Sequence, residues 1–217
     1  MPSMLPLPLT ASADPAAFSP LWAELLHGVE EGCLLLGRYW QQVKTQSLSH
    51  RDKADGSPVS EADEAANTLL MALLARLTPD IPVISEESPL PAAGWSAPAF
   101  WLLDPLDGTK AFLRGTGEYV ISLGLILDGK AVAGIIAAPS WQDAPLIGWG
   151  AVGQGAWVRS MNGAASPLKA RDVAAQQIMD DGVDLLVAYH GKTPQINDHL
   201  TPVRERRRMA HSSALKF

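Results

Sequence analysis

Residues 100 to 109 are Phe100-Trp101-Leu102-Leu103-Asp104-Pro105-Leu106-Asp107-Gly108-Thr109, an apolar run that leads into two aspartates. The apolar run before Asp104 is typical of a buried strand. Pro105 lacks the N–H group that strand pairing requires, so we expect the strand to end at Asp104. Gly108 then permits a tight turn. The sequence therefore predicts that two carboxylates, Asp104 and Asp107, lie at the end of a buried strand.

These two carboxylates can converge on one or two hard cations. The Leu106 carbonyl between them is a further oxygen ligand, and ligation by oxygen alone favours Mg²⁺. If Gly108 and Thr109 open a helix, their free N–H groups point towards the same place and would hold an anion such as phosphate. Taken alone, the Asp104 and Asp107 spacing also fits an ordinary turn.

A second acidic segment, Ile84-Ser85-Glu86-Glu87-Ser88, follows another short apolar run upstream. Taken alone, this segment is typical of a solvated loop. Together with the turn at Asp104, Glu86 completes a candidate two-metal site. Such sites activate a water as the nucleophile and stabilise the leaving oxygen of an in-line displacement at phosphorus.

A third acidic segment is Ser57-Pro58-Val59-Ser60-Glu61-Ala62-Asp63. Its last four residues have the form of a capping box, which predicts that a helix begins at Ser60. Helical spacing places Asp63 on the buried side, one turn before Ala66. There the carboxylate either caps the helix or enters a cleft as a functional group, and both interpretations stand.

Periodicity and turn residues predict the other elements. Apolar positions from Leu21 to Lys44 recur at helical spacing, which predicts an amphipathic first helix. Alternation from Tyr119 to Leu127, the Asp128-Gly129 turn and the run from Ala131 to Ala137 together predict a hairpin. We also expect a strand at Ile81 to Ile84, a hairpin around Asn162-Gly163, a strand at Leu185 to Tyr189 and, after it, a polar, solvated Arg-rich segment at Arg204 to Arg208.

Composition indicates a soluble globular protein. The chain has 217 residues, of which 47% are apolar and 18% charged, and no apolar run reaches the about 18 residues of a membrane span. A net charge of −6 argues against a nucleic-acid surface. The single cysteine, Cys33, offers neither a disulfide framework nor a Cys-x-x-Cys motif, which favours a reducing, cytoplasmic compartment.

The three acidic segments, in this order, resemble the inositol monophosphatase superfamily, and most closely its bacterial-type 3′(2′),5′-bisphosphate nucleotidase branch. The matching motifs are Ser-Pro-Val-[ST]-x-Ala-Asp at 57–63, Ile-Ser-Glu-Glu at 84–87 and Trp-Leu-x-Asp-Pro-Leu-Asp-Gly-Thr-Lys at 101–110. The resemblance covers residues 21–217. It implies an α+β fold, the layered α-β-α-β-α sandwich of the sugar phosphatases, with Mg²⁺ as the cofactor.

The resemblance also implies roles for individual residues. The implied metal ligands are Glu86, Asp104, the Leu106 carbonyl and Asp107. The implied pair that polarises the attacking water is Asp63 and Thr109. The implied substrate contacts are Glu86, Leu106, Asp107, Gly108 and Thr109.

The activity implied by the resemblance is Mg²⁺-dependent hydrolysis of 3′-phosphoadenosine 5′-phosphate to AMP and phosphate by a metal-activated water, a reaction of sulfur assimilation. The alternatives are an inositol monophosphatase-like activity, or an inactive truncated remnant that only binds metal or nucleotide. We expect a small phosphorylated partner, no nucleic acid and no integral membrane segment. The sequence does not predict the oligomeric state.

The expected domain organisation has three parts. Residues 1–20 are a Pro-rich lead-in that we expect to be disordered. Residues 21–140 form an N-terminal α+β half that carries the metal site. Residues 141–217 form a truncated C-terminal α/β half with its last layers incomplete, because the family's Trp-Asp-x-Ala-[AG]-Gly segment has no counterpart before Phe217.

Overall fold

The computed structural model of the chain describes residues 20–45, 49–52, 58–140, 145–169, 183–188 and 203–209. The helices are α1 (Pro20–Lys44), α2 (Glu61–Leu77) and α3 (Thr109–Leu113), with a 3₁₀ turn at Gly94–Ser96. The strands are β1 (His50–Asp52), β2 (Pro58–Ser60), β3 (Val83–Ser85), β4 (Ala99–Asp107), β5 (Val120–Leu127), β6 (Lys130–Ala138), β7 (Leu146–Ala151), β8 (Gly155–Ser160), β9 (Ser166–Leu168), β10 (Val183–Ala188) and β11 (Val203–Met209).

Within the described residues, seven strands form one mixed sheet in the order β3-β4-β5-β6-β7-β8-β9. β3 and β4 are parallel, and each later pair of neighbours is antiparallel. β1 pairs with β2, and β10 pairs with β11, as two smaller sheets. The sheet continues from β6 to β7 across residue 140, so the predicted boundary there falls between two neighbouring strands, and the division into halves stays a prediction.

α1 confirms the predicted amphipathic helix and begins at Pro20, whose fixed φ suits a first helical position. Its buried side chains recur at intervals of three and four residues along one face. They are Trp22, Leu25, Leu26, Val29, Cys33 and Leu36. On the same helix, Glu30 forms a 2.6 Å ion pair with Arg159 of β8, and this pair connects the helix to the far part of the sheet.

Close packing between α1 and its neighbours depends on two glycines one helical turn apart. A Cβ atom on Gly28 would lie 2.4 Å from Leu73 Cδ2 in α2. A Cβ atom on Gly32 would lie 2.9 Å from Ile121 Cδ1 in β5. Both distances are shorter than a normal van der Waals contact, so a side chain at either position would displace Leu73 or Ile121.

The core lies between helices α1 and α2 and one face of the large sheet. Residues of that face alternate along each strand with residues of the opposite face. The buried sheet side chains in the core are Trp101, Leu103, Ile121, Leu123, Leu125, Ala133, Ile135, Ala137, Ile147, Trp149 and Trp157.

Two predicted hairpins are confirmed. Asp128 and Gly129 have φ values of 47° and 73°, as a two-residue turn between β5 and β6 requires. Asn162 has a φ of 60° and lies between the antiparallel strands β8 and β9.

Two strands near the acidic segments differ from their predicted bounds. β4 continues to Asp107 instead of ending at Asp104, although its pairing with β5 is irregular between these residues because Pro105 has no N–H to donate. β3 begins at Val83 and not at Ile81. The N–H of Ile81 donates to the Thr78 carbonyl at 3.0 Å, which keeps Ile81 in the turn after α2.

The Arg-rich segment was predicted to be polar and solvated, and no strand was predicted for it. Its backbone forms β11, which runs parallel to β10. The hydrogen bonds of a strand come from the backbone, so a run of charged residues can pair without an apolar alternation. The predicted strand at Leu185 to Tyr189 is present as Val183–Ala188.

Some predictions lie outside the described residues. These concern the lead-in before Pro20 and the last residues, 210–217. In the part of the chain that is described, none of the helices has both the length and the apolar character that a bilayer crossing requires.

Candidate metal centre

Parallel pairing of β3 and β4 brings two acidic segments to the same edge of the sheet. Ser85 lies opposite Leu103 in this pairing. The N–H of Glu86 then donates to the Leu103 carbonyl at 3.0 Å, which extends the pairing by one residue. Because the carboxyl ends of parallel strands meet at one edge, Glu86 and Asp104 emerge side by side.

The end of β4 is organised by local hydrogen bonds. The Leu106 N–H donates to Asp104 Oδ1 at 3.1 Å, so the carboxylate lies over its own turn. Gly108 has a φ of 103°, a left-handed conformation that favours glycine, and α3 begins at the next residue. Buried Phe112 anchors this short helix by an edge contact with the Tyr119 ring at 4.7 Å between centroids.

Asp104 lies close to Glu86 and Asp107. Burial, then the negative charges of Glu86 and Asp107, and then a hydrogen bond with Glu86 together raise the pKa of Asp104 to about 8, against the lowering effect of the Leu106 N–H. Carboxylates crowded in this way repel each other unless a proton or a cation lies between them. Without a metal, this crowding favours a proton held within the cluster, where Asp104 and Glu86 share a hydrogen bond.

The chemistry of these donors fits a hard divalent cation, because carboxylate and carbonyl oxygens are the ligands that Mg²⁺ prefers. Among the described residues, no group of three or more His, Cys, Asp or Glu side chains is arranged to hold one ion. Mg²⁺ usually binds through one or two carboxylates and keeps several waters, so it does not require three. The carboxylates of Glu86, Asp104 and Asp107 are the donors available, of which one or two would hold the ion, with the Leu106 carbonyl beside them.

The structure confirms that Asp63 caps α2, and its role as a functional group stays a prediction. It is fully buried, and its Oδ2 accepts the Ser60 N–H at 2.8 Å and the Ser60 hydroxyl at 2.5 Å, which caps α2. Its Oδ1 accepts the Thr109 hydroxyl at 2.9 Å. Burial raises the pKa of Asp63 above its ordinary value, although the hydrogen bonds from Ser60 and Thr109 act in the opposite direction.

Thr109 connects Asp63 to the segment that carries Asp104 and Asp107. Its hydroxyl also lies 3.3 Å from the carbonyl of Leu106, whose side chain is buried in the core. The structure thus brings together Glu86, Asp104 and Asp107 on one side of the turn, and Asp63 with Thr109 on the other. Gly108 lies between the two groups in the chain.

Sequence reasoning missed Asn67. Its side-chain amide accepts the Ser85 hydroxyl at 2.7 Å and donates to the Ser88 hydroxyl at 2.9 Å. The available signal was its position in α2, four residues after Asp63, which places both side chains on one face of the helix.

Comparison with known protein families gives a match over most of the chain. A model described as the inositol monophosphatase family matches residues 29–217. The chain belongs to the inositol monophosphatase family. The family predicted from the three acidic segments is therefore confirmed.

Two curated relatives of the chain are bacterial proteins named CysQ. The chain is 46% identical over 99 residues to the 3′(2′),5′-bisphosphate nucleotidase CysQ of Escherichia coli K12, a match that covers 44% of this chain and 39% of the relative. It is 37% identical over 123 residues to CysQ of Aggregatibacter actinomycetemcomitans, with 55% and 45% covered. The chain thus spans less than half the length of these relatives.

Solved structures of the family have the same fold. The extragenic suppressor protein SuhB of Bartonella henselae aligns with a TM-score of 0.62 and 24% identity over 91% of this chain and 72% of that one. CysQ of Bacteroides thetaiotaomicron aligns with a TM-score of 0.59 and 23% identity over 88% and 73%. At such identities the likeness concerns the fold alone, and it confirms the predicted α+β sandwich.

Proposed function

We propose that this protein is a Mg²⁺-dependent phosphomonoesterase. The observation that carries the proposal is the meeting of Glu86, Asp104 and Asp107 at one end of β4, with the Asp63 and Thr109 pair beside them. A cluster of acidic groups that retains a proton in the metal-free state is suited to exchange that proton for a cation. When bound, Mg²⁺ supplies positive charge that attracts a phosphate and acidifies a water.

Asp63 and Thr109 would prepare the nucleophile. The Thr109 hydroxyl donates its proton to Asp63 Oδ1, which leaves its lone pairs to accept a hydrogen bond from an attacking water. A proton leaving the water can pass to Thr109 as the Thr109 proton passes to Asp63. Burial makes the Asp63 carboxylate more basic than an exposed one and suits it to this role.

The substrate that we propose is 3′-phosphoadenosine 5′-phosphate, whose hydrolysis to AMP and phosphate is a reaction of sulfur assimilation. The support is the 46% identity over 99 residues to proteins named 3′(2′),5′-bisphosphate nucleotidase. Hydrolysis forms a P–O bond to the water oxygen and breaks the P–O bond to the ribose 3′-oxygen, which regains a proton. Gly108 and Thr109, together with Glu86, the Leu106 carbonyl and Asp107, are the proposed contacts of the phosphate.

Phosphate release by the purified 217-residue chain tests this proposal. We expect release from 3′-phosphoadenosine 5′-phosphate to exceed release from inositol 1-phosphate and to stop when a chelator removes Mg²⁺. Preference for inositol 1-phosphate would favour the monophosphatase alternative. Mg²⁺ binding without release of phosphate from either compound would favour the alternative that binds without turnover, and release unaffected by chelator would refute the metal-dependent class.

We also infer that the protein acts in the cytoplasm on a small phosphorylated molecule and does not act on nucleic acid. The supports are its one cysteine, which is buried, and its net charge of −6. Fractionation of cells that express the chain tests the location, and recovery in a periplasmic fraction would contradict it.

A further inference from the structure

The segment that carries Glu86 is a tight turn from Ser85 to Ser88. The Ser88 N–H lies 3.4 Å from the Ser85 carbonyl, and the Glu87 N–H donates to Ser85 Oγ at 3.2 Å. These bonds shape the turn from within. At its start the turn is held by β4, because Ser85 pairs with Leu103 and the Glu86 N–H donates to the Leu103 carbonyl.

Asn67 holds both ends of this turn from outside. Its Oδ1 accepts the Ser85 hydroxyl at 2.7 Å, and its Nδ2 donates to the Ser88 hydroxyl at 2.9 Å. Ser85 is buried, so this pair of hydrogen bonds forms at the edge of the protein interior. One amide therefore fixes the first and last residues of the turn that presents Glu86.

The helix beneath Asn67 makes this anchor rigid. Asn67 lies four residues after Asp63 in α2, on the side of the helix that also carries buried Leu70 and Leu74. Asp63 on the same face receives the hydrogen bond from Thr109. One face of α2 thus contacts both the Glu86 turn and the segment that follows β4, which are the two walls of the candidate centre.

We propose that Asn67 is a positioning residue, which sets the distance between the Glu86 carboxylate and Asp104 for binding of Mg²⁺. This inference rests on the proposed function. In this proposal Asn67 acts through its hydrogen bonds with Ser85 and Ser88 and does not contact the cation. Groups that orient metal ligands in this way commonly change metal affinity by 10–100-fold when they are removed.

The test is calorimetric titration of the metal-free chain with Mg²⁺, together with thermal unfolding in the absence of metal. We expect N67A to bind Mg²⁺ about tenfold more weakly than the wild type at a temperature where both are folded. N67D should restore the affinity, because both of its oxygens can accept the hydroxyl protons of Ser85 and Ser88. The matched control is T68A, since the Thr68 hydroxyl bonds only the Glu64 carbonyl of its own helix.

The outcomes separate this inference from the proposed function. Equal Mg²⁺ affinity for folded N67A and wild type would overturn the positioning role and leave the proposed function intact. A wild-type chain that binds no Mg²⁺ would overturn both. If N67A does not fold, S88A replaces it, because it removes only the outer hydrogen bond of Asn67; unchanged affinity in S88A would then overturn the inference.

Discussion

The sharpest prediction concerns Asp63, and it compares replacement by Asn with replacement by Ala. In D63N the amide oxygen can take the place of Oδ2 and accept both hydrogen bonds from Ser60. The amide N–H₂ then faces Thr109, whose hydroxyl can turn its proton fully to the Leu106 carbonyl, 3.3 Å away. The cap of α2 is therefore retained without the charge.

The sign of the charge effect follows from the raised pKa of Asp63, which shows that burial disfavours the ionised form more than the hydrogen bonds favour it. A carboxyl of this kind contributes stability below its ordinary pKa, and loses that contribution as pH rises through the folded-state pKa. D63N has no ionisable group at this position and cannot lose stability in this way. We expect D63N to unfold within about 1 kcal/mol of the wild type or to be more stable, with a flatter dependence of stability on pH.

D63A removes the cap as well as the charge. The cap consists of the two hydrogen bonds from Ser60, and their loss leaves polar groups of buried Ser60 without an acceptor at a cost of about 1–3 kcal/mol. We therefore expect about 1–3 kcal/mol of destabilisation in D63A. Both variants should lose about 100-fold or more in phosphate release, because neither can accept the Thr109 proton.

The assays are urea unfolding followed by tryptophan fluorescence, and Mg²⁺-dependent phosphate release. E61Q is the control, because it removes a carboxylate from the same first turn of α2 at an exposed position. If D63N were destabilised as much as D63A, the negative charge of Asp63 would itself stabilise the cap of α2. The inference that burial disfavours the ionised form of Asp63 would then be wrong. Full phosphate release by D63N would remove Asp63 from the reaction.

Three further predictions concern packing, thiol reactivity and metal binding. G28A should destabilise the chain by about 1–3 kcal/mol through overpacking against Leu73. The control is G37A in the same helix, where a Cβ would meet no atom within 4 Å, and it should stabilise the chain by up to about 1 kcal/mol. Equal effects of the two substitutions in urea unfolding would contradict this prediction. Burial raises the pKa of Cys33 to about 12, so a thiol reagent should label it only after unfolding, and rapid labelling of the native chain would count against the packing of α1. Mg²⁺ must displace the proton of Asp104, whose pKa is about 8, so calorimetry should show an affinity that rises with pH and levels off above pH 8; an affinity independent of pH would disagree.

Features that depend on neighbouring residues in the chain could be predicted from the sequence. The capping box of Ser60 and Asp63 and the turn at Asp128-Gly129 are local patterns with their own hydrogen bonds and φ preferences. The two carboxylates of Asp104 and Asp107 belong to one short segment. Their positions within that segment could therefore be predicted without knowledge of the fold.

Features that depend on how distant segments pack could not be predicted in the same way. The hydrogen bond between Glu86 and Asp104 requires the parallel pairing of β3 with β4. The two bonds of Asn67 require α2 to lie over the end of β3, and a polar residue on a helix has no pattern that reveals such a partner. β11 was missed because its Arg-rich sequence lacks the alternation by which strands are recognised.

Asp63 caps α2 in addition to its proposed role in catalysis, and this affects how related sequences should be compared. A descendant that lost catalysis would still need an acceptor at this position to cap α2, so an acidic or amide side chain there persists under selection for folding alone. Its presence in a homologue is therefore weak evidence of activity. Glu86 is exposed and contributes little to the core, so it is free to change once metal binding is no longer selected. Among related chains, the residue at the position of Glu86 should separate working enzymes from inactive ones better than Asp63 does.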